Sequence, residues 1–90
     1  MANRNRLEII YNILKIIQEN HNLIKPTPLL RKSNISSTRF KSYFLELKEK
    51  EFIREVKGKN GEVFISLTDK GFKFLSKYAS IINFIEEFDL

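Results

Sequence analysis

Residues 33–44 read Ser-Asn-Ile-Ser-Ser-Thr-Arg-Phe-Lys-Ser-Tyr-Phe, a polar turn that passes into a helix. Serine and threonine favour helix N-termini because their hydroxyl oxygens accept hydrogen bonds from backbone N–H groups that have no partner within the helix. Phe40, Phe44 and Leu47 recur at helical spacing, which leaves the opposite face small, hydroxylated and cationic. Such a face is typical of a helix that recognises nucleic acid, although helix capping and ordinary solvent exposure also place these residue types there.

A short helix is expected just before this turn. Thr27 is a favourable N-cap, and Pro28 suits the first helical position, where the missing N–H of proline costs no hydrogen bond. The pattern therefore predicts a helix from Pro28 to about Lys32, with Leu30 and Leu29 facing inward.

The helix that follows the turn is expected to begin at Ser36 or Ser37 and to continue to about Lys50. Ile35 would fill the space between it and the preceding short helix. A helix, a short turn with one buried aliphatic residue and a second helix make up a helix-turn-helix arrangement.

After Lys50 the apolar spacing changes from helical to alternating, over residues 52–57 and 62–67. These runs predict two strands, which Asn60-Gly61 would join, since both residues tolerate the positive φ angles of a type I′ turn. The hairpin is basic, with Arg54, Lys57 and Lys59 along it. A basic hairpin after a recognition helix is called a wing.

The first helix is predicted from Arg6 to about Asn20 and is apolar over more than half of its circumference. One stripe can serve the core of the domain, and the other a later helix or a partner subunit. The two stripes are Leu7, Ile10, Leu14 and Ile17, and beside them Ile9, Ile13 and Ile16.

The last helix is predicted to start after Thr68 as N-cap, with Asp69 in its first turn, and to extend to about Glu87. It carries more apolar residues than one interface needs, so we expect the part from Tyr78 onward to meet a second copy of the chain. The alternative is a monomer in which both stripes close over the first helix. The stripes are Phe72, Leu75, Ala79 and Ile82, and Phe74, Tyr78, Ile81, Ile85 and Phe88.

The composition indicates one globular domain. The chain has 90 residues, a net charge of +5, no cysteine and a single histidine, His21, which we expect in a solvated loop. We expect neither a metal site nor a cofactor, because no group of suitable ligands and no glycine-rich phosphate loop is present. No catalytic constellation is recognisable, so we expect no enzymatic activity. No apolar run is long enough to span a membrane, and we expect a cytoplasmic location.

The positive charge is concentrated in one region. Residues 25–41 contain five cations and no acidic residue, whereas Glu86, Glu87 and Asp89 cluster near the C-terminus. A local cationic surface of this kind favours a polyanionic partner, and a solvated basic surface without a partner is the alternative.

The chain resembles winged-helix domains, and more narrowly the small basic archaeal DNA-binding proteins of the chromatin and transcription-regulator kind. The resemblance rests on residues 6–10, 27–30 and 34–36, on the spacing from Arg39 to Leu47, and on Leu67-Thr68-Asp69-Lys70-Gly71 at the exit of the hairpin. It implies an α+β, mostly helical fold with three helices, a two-stranded wing and a long C-terminal helix. Residues 1–67 would form the winged helix-turn-helix domain, and residues 68–90 the helix that packs on it and dimerises.

The resemblance implies double-stranded DNA binding by a nucleoid-associated homodimer, as a transcriptional regulator or a chromatin-type protein. The recognition helix, about residues 36–50, would enter the major groove, and the wing, residues 52–67, would touch backbone or minor groove. Arg39 would read a base, most suitably guanine, since its planar guanidinium group can donate hydrogen bonds to two acceptors at once. The alternative is a winged-helix protein-interaction module without nucleic acid. The expected DNA contacts are Arg31, Lys32, Ser36, Ser37, Thr38, Arg39, Lys41, Ser42, Tyr43, Lys57 and Lys59, and the expected dimer contacts are Tyr78, Ile81, Ile82, Ile85 and Phe88.

One position departs from the usual pattern. Many winged helices have glycine after the third helix, where this chain has Glu51. If the left-handed backbone conformation is kept there, it costs about 1 kcal/mol.

Overall fold

The computed structural model describes residues 5–90, which form four helices and a two-stranded antiparallel sheet. In chain order the elements are α1 (Arg6–Glu19), α2 (Pro26–Ser33), α3 (Ser37–Glu49), β1 (Ile53–Lys57), β2 (Val63–Leu67) and α4 (Asp69–Glu87). The α+β, mostly helical fold predicted from the sequence is confirmed.

α1 is the central helix of the core. Asn5 caps its N-terminus: the Asn5 side chain accepts from the Glu8 N–H, and the Glu8 carboxylate accepts from the Asn5 N–H. Residues from both predicted stripes are buried, whereas Leu7 is 52% exposed. The buried core consists of Ile9, Ile10, Ile13, Leu14, Ile17, Ile24, Leu29, Phe40, Leu47, Ile53, Ile65, Leu67 and Leu75.

α2 begins earlier than predicted. Lys25 is its N-cap, with extended backbone at φ −76° and ψ 153°, and Pro26 is the first helical residue, so the expectation that Thr27 caps this helix was wrong. The residue before a proline is disfavoured in the helical conformation, which sets the boundary at Lys25. Ile35, in the turn after α2, is half-buried against the core as expected.

The hairpin is confirmed, but the type of its turn was predicted wrongly. The Gly58 N–H donates to the Glu62 carbonyl at 2.7 Å, and the Gly58 carbonyl accepts from the Gly61 N–H at 3.2 Å. Within this loop Gly61 alone has a positive φ, of 81°. The turn is therefore a type I turn followed by a left-handed glycine, with Asn60 in the ordinary right-handed region.

A backbone bridge that the sequence did not predict joins the loop after α1 to the hairpin. Ile24 and Ile65 exchange two N–H···O bonds of 3.1 and 2.7 Å in antiparallel fashion. β2 therefore pairs on both sides, with Ile24 and with β1, and the base of the hairpin is held to the helical core.

The start of α4 is tied to the junction between α3 and β1. The Thr68 N–H donates to the Phe52 carbonyl at 3.1 Å, and the Thr68 hydroxyl donates to the Glu51 carbonyl at 2.6 Å. The same hydroxyl oxygen accepts from the Gly71 N–H at 3.2 Å, as a helix cap. Thr68 thus serves as the expected N-cap and also holds two parts of the chain together.

Lys70 strengthens the same junction. Its ammonium group donates to the Lys50 carbonyl at 2.8 Å and lies 4.7 Å from the centre of the Phe52 ring. These contacts fix the direction in which α4 leaves the hairpin. They are made by the segment Leu67-Thr68-Asp69-Lys70-Gly71.

Glu51 keeps the left-handed conformation, with φ 64°. The Glu51 N–H donates to the Lys48 carbonyl at 3.0 Å, and the Phe52 N–H donates to the Leu47 carbonyl at 2.9 Å. These two bonds form the Schellman motif that ends α3, with a glutamate at the position where glycine is most common.

We expect Glu51→Gly to raise the free energy of unfolding by about 1 kcal/mol, because glycine adopts this conformation without the steric cost of a Cβ. Glu51→Ala is the matched control, since it removes the same charge and keeps the Cβ. Urea denaturation of the three proteins measures the difference. An equal gain in both variants would show that the glutamate charge, and not its backbone conformation, costs stability.

No helix formed by residues 5–90 combines the length and the apolar character that crossing a bilayer requires.

Candidate nucleic-acid interface

α3 presents one face to the core and the opposite face to solvent. Phe40 and Leu47 are buried on the inner face, and the Phe40 and Phe44 rings stack with centroids 5.5 Å apart. At the N-terminus, the Ser36 hydroxyl oxygen accepts from the Arg39 N–H at 3.2 Å, so Ser36 is the N-cap. This bond fixes the first turn of α3 and therefore the direction of the side chains that follow.

The structure leaves the predicted contact residues accessible, with one exception. Tyr43 is half-buried and packs against the core, so it faces away from the exposed side of α3. The other predicted residues are exposed: Arg31, Lys32, Ser36, Ser37, Thr38, Arg39, Lys41, Ser42, Lys57 and Lys59.

Lys41 lies on the flank of α3 that faces the hairpin. Lys48 follows it by two helical turns on the same side, and the Lys48 ammonium group pairs with the Glu55 carboxylate of β1 at 2.8 Å. This ion pair orients α3 relative to the hairpin.

Arg39 lies on the flank that faces α1. Glu46, two turns further along, pairs with Arg6 at the start of α1 and with Lys50 at 2.9 Å. Hydrogen bonds from Arg6 and then Lys50 hold the pKa of the Glu46 carboxyl low, at about 2. Glu46 therefore stays ionised at neutral pH, and the C-terminal half of α3 is neutralised by its own ion pairs.

The N-terminal half of α3 differs, because its cations keep their charge uncompensated. We use the name basic face for Arg31, Lys32, Arg39, Lys41, Lys57 and Lys59. None of these side chains forms an ion pair with a carboxylate within residues 5–90, since every ion pair there involves Glu46 or Glu55. Lys32 makes one weak bond, of 3.4 Å, to the Asn20 side chain. An uncompensated cationic surface attracts polyanions.

Lys25 is a further cation near the hairpin that was not among the predicted contact residues. It is exposed at the start of α2, and its ammonium group lies 5.7 Å from the centre of the Phe64 ring on β2. Its place in the acid-free stretch was visible in the sequence, but its proximity to β2 follows from the Ile24–Ile65 bridge.

The predicted dimer residues divide into two groups. Tyr78 packs within its own chain, stacked on Tyr11 at 4.7 Å and on Phe74 at 5.8 Å, and burial raises the pKa of its phenol. Ile82 is half-buried. Tyr78 and Ile82 are thus partly covered by the domain itself.

The second half of α4 is not covered. We call Ile81, Phe84, Ile85 and Phe88 the α4 apolar surface; they are 56%, 55%, 38% and 58% exposed. Phe84 was not among the predicted dimer residues. Its ring lies 4.9 Å from that of Phe88, so both aromatic side chains stand on the uncovered side. Within the single chain, α1 leaves these four side chains uncovered.

A comparison with protein-family models matches residues 3–86 to the model described as winged helix-turn-helix. The chain belongs to the winged helix-turn-helix family. In the terms of that family, α2 and α3 form the helix-turn-helix and β1–β2 is the wing. The match covers most of the chain, α4 included.

The winged helix-turn-helix fold is also found in a solved structure that this chain resembles. The crystal structure of Sso10a-2, a DNA-binding protein from Sulfolobus solfataricus, is similar with a TM-score of 0.74 and 16% identity, over 94% of this chain and 85% of that one. At this level of identity the similarity concerns the fold. The resemblance to archaeal winged-helix proteins noted from the sequence is confirmed. No curated protein sequence matches the chain.

Proposed function

We propose that this protein binds double-stranded DNA as a homodimer and acts as a transcriptional regulator or a chromatin-type protein. The observation that supports this most strongly is the basic face, which lies on the two helices and the hairpin of a winged helix-turn-helix and carries no compensating acid. The similarity to a DNA-binding protein of the same fold agrees with this proposal.

In this proposal α3 enters the major groove with its N-terminus first. An α-helix fits the width of that groove, and the exposed hydroxyl and cationic side chains of the first turns offer donors to phosphates and base edges. The last turn of α3, residues 46–49, carries the ion pairs to Arg6 and Glu55 and stays outside the groove.

In this proposal the wing contacts the sugar-phosphate backbone of the DNA. Lys57 ends β1 and Lys59 lies in the turn, and both are exposed. Long cationic side chains at the tip of a hairpin reach phosphates on either side of the minor groove and position the domain without reading sequence.

Salt dependence tests the proposal. With most cations of the basic face at phosphates, the logarithm of the association constant should fall with the logarithm of salt concentration with a slope of about −4 per protomer. Fluorescence anisotropy with a duplex of about three helical turns measures this. Absence of binding at low salt, or an affinity that salt does not change, would contradict DNA binding and favour a protein-interaction module.

A pair of charge reversals locates the surface. We expect Lys41→Glu to weaken duplex binding by about tenfold or more, because it places a carboxylate against phosphate. Lys73→Glu changes the net charge equally at an exposed position on α4, outside the basic face, and should change affinity by less than about threefold. Equal losses would mean that only the overall charge matters and that the assigned surface is wrong.

The homodimer is supported by the α4 apolar surface, since the chain itself leaves these side chains uncovered near the end of a long helix. We expect sedimentation to give the mass of a dimer at micromolar concentration. Phe84→Glu should shift it toward monomer, because the dimer would bury an unpaired charge, whereas Asn83→Glu, at an exposed position on the opposite side of α4, should not. A wild-type monomer at this concentration would contradict the dimer.

A further inference from the structure

Leu45 is a large apolar residue that α3 holds out into solvent. Its exposed fraction is 53%, compared with 1% for Leu47 two positions later. Single exposed leucines are common on protein surfaces, so the position of Leu45 is the informative feature. A shallow hollow lies beside it, lined by Leu45, Lys48 and Glu49.

Leu45 continues the exposed stripe that begins in the first turn of α3. Thr38, Ser42 and Leu45 are spaced by four and three residues, which places them on one face of the helix, opposite Phe40 and Leu47. All three are exposed. The stripe thus has two hydroxyl groups followed by one branched aliphatic group.

The two flanks of this stripe are cationic. Lys41 lies on the side of the Lys48–Glu55 ion pair, toward β1, and Arg39 lies on the side of the Arg6–Glu46 ion pair, toward α1. A helix that enters the major groove with such flanks turns the middle stripe toward the base edges, while the flanking cations lie at the borders of the groove. From there Lys41 can meet phosphate, and the long Arg39 side chain can reach the edge of a base.

We propose that Leu45 is a specificity-determining residue that contacts the C5-methyl group of thymine. This inference rests on the proposed function, since it needs α3 in the major groove. The thymine methyl is the apolar group that base edges present in that groove, and Leu45 has no donor or acceptor for the other positions. Contact between the methyl group and the leucine side chain removes both from water, which is favourable. An A·T pair is therefore preferred at the position that Leu45 contacts.

The experiment compares two duplexes that differ only in this methyl group, alternating d(AT) and alternating d(AU) of equal length. Both have the same phosphate charge and the same hydrogen-bonding edges. We expect the wild-type protein to bind d(AT) about fourfold more tightly for each contacted methyl. Anisotropy titrations at one salt concentration give the ratio of the two dissociation constants.

Three variants test whether the preference for the thymine methyl group comes from Leu45. Leu45→Ala should bring the ratio close to one with an unchanged salt slope, and Leu45→Met, which keeps an apolar side chain, should retain the preference. Leu7→Ala is the matched control, because Leu7 is also on a helix and is exposed to the same extent, 52%, but lies on α1 outside the basic face. It should leave the ratio unchanged. Alanine is favourable in helices, so Leu45→Ala should fold, and its circular dichroism verifies this.

Three results would overturn the inference while DNA binding itself stands: equal binding of d(AT) and d(AU) by the wild type, a preference that survives in Leu45→Ala, or an equal loss of affinity for both duplexes in Leu45→Ala. The last result would indicate that Leu45 supports assembly. Salt-independent or undetectable binding of both duplexes would overturn the proposed function as well, so the two failures are distinguishable.

Discussion

Gly71→Ala lowers the free energy of unfolding by about 2–3 kcal/mol, although alanine is normally favoured over glycine in a helix by about 1 kcal/mol. A Cβ at position 71 would lie well inside 3.0 Å of the Phe52 carbonyl oxygen and 3.2 Å from the Leu67 Cδ2 atom. The Phe52 carbonyl is backbone and accepts the Thr68 N–H, so it cannot move without breaking the link between β1 and α4. Urea denaturation measures the loss.

Gly58→Ala is the matched control for this prediction. A Cβ there would meet the Glu62 Oε1 atom at 2.8 Å and the Phe64 Cε2 atom at 3.1 Å. Both atoms belong to side chains, and the flexible Glu62 side chain can turn away. We expect a cost below about 1 kcal/mol. If Gly71→Ala were neutral or stabilising, α4 would have to shift away from β1, and the close backbone approach would not be required for folding.

Arg39→Ala and Lys59→Ala should affect DNA binding in different ways. Arg39 is proposed to read a base and Lys59 to contact phosphate. We expect Arg39→Ala to reduce the discrimination between a preferred and a scrambled duplex by about tenfold or more. Lys59→Ala should weaken binding to both duplexes alike and make the salt slope shallower by about one.

The preferred duplex for this comparison comes from selection with the wild-type protein from a random pool. An enriched palindrome with half-sites about one helical turn apart would also agree with a symmetric dimer. A reversal of the two effects would contradict the assigned roles. No enrichment, together with salt-dependent binding, would favour the chromatin-type protein over the site-specific regulator.

A row of aromatic contacts connects the proposed DNA-binding half with the proposed dimer helix. Phe52 at the base of the wing meets Phe74 edge-on at 5.7 Å, Phe74 stacks on Tyr78, and Tyr78 stacks on Tyr11 of α1. Aromatic pairs of this kind add to the burial energy and restrict the angle between the elements that carry them. The direction of α4, and with it the place of the α4 apolar surface, is therefore set by contacts within the domain.

Local sequence determined much of the fold. Helix periodicity placed α1, α3 and α4 within a residue or two of their observed bounds, and Asn60-Gly61 marked the hairpin. These signals are readable because capping, turn formation and apolar spacing depend on residues that are close together in the chain. The basic face was readable too, since its residues follow each other within the acid-free stretch and the hairpin.

The tertiary structure decided which apolar residues are covered. Tyr78 and Phe84 have similar local surroundings on α4, yet Tyr78 packs on Tyr11 while Phe84 stays exposed. Likewise, periodicity alone did not mark Leu45 as an exposed member of the proposed recognition stripe, and no local signal predicted the Ile24–Ile65 bridge. Burial and long-range pairing depend on which elements meet in space. The sequence by itself therefore determined the elements and the charge of this protein, whereas only the packing of α4 and the wing on α1 and α3 decided which surfaces remain free to bind a partner.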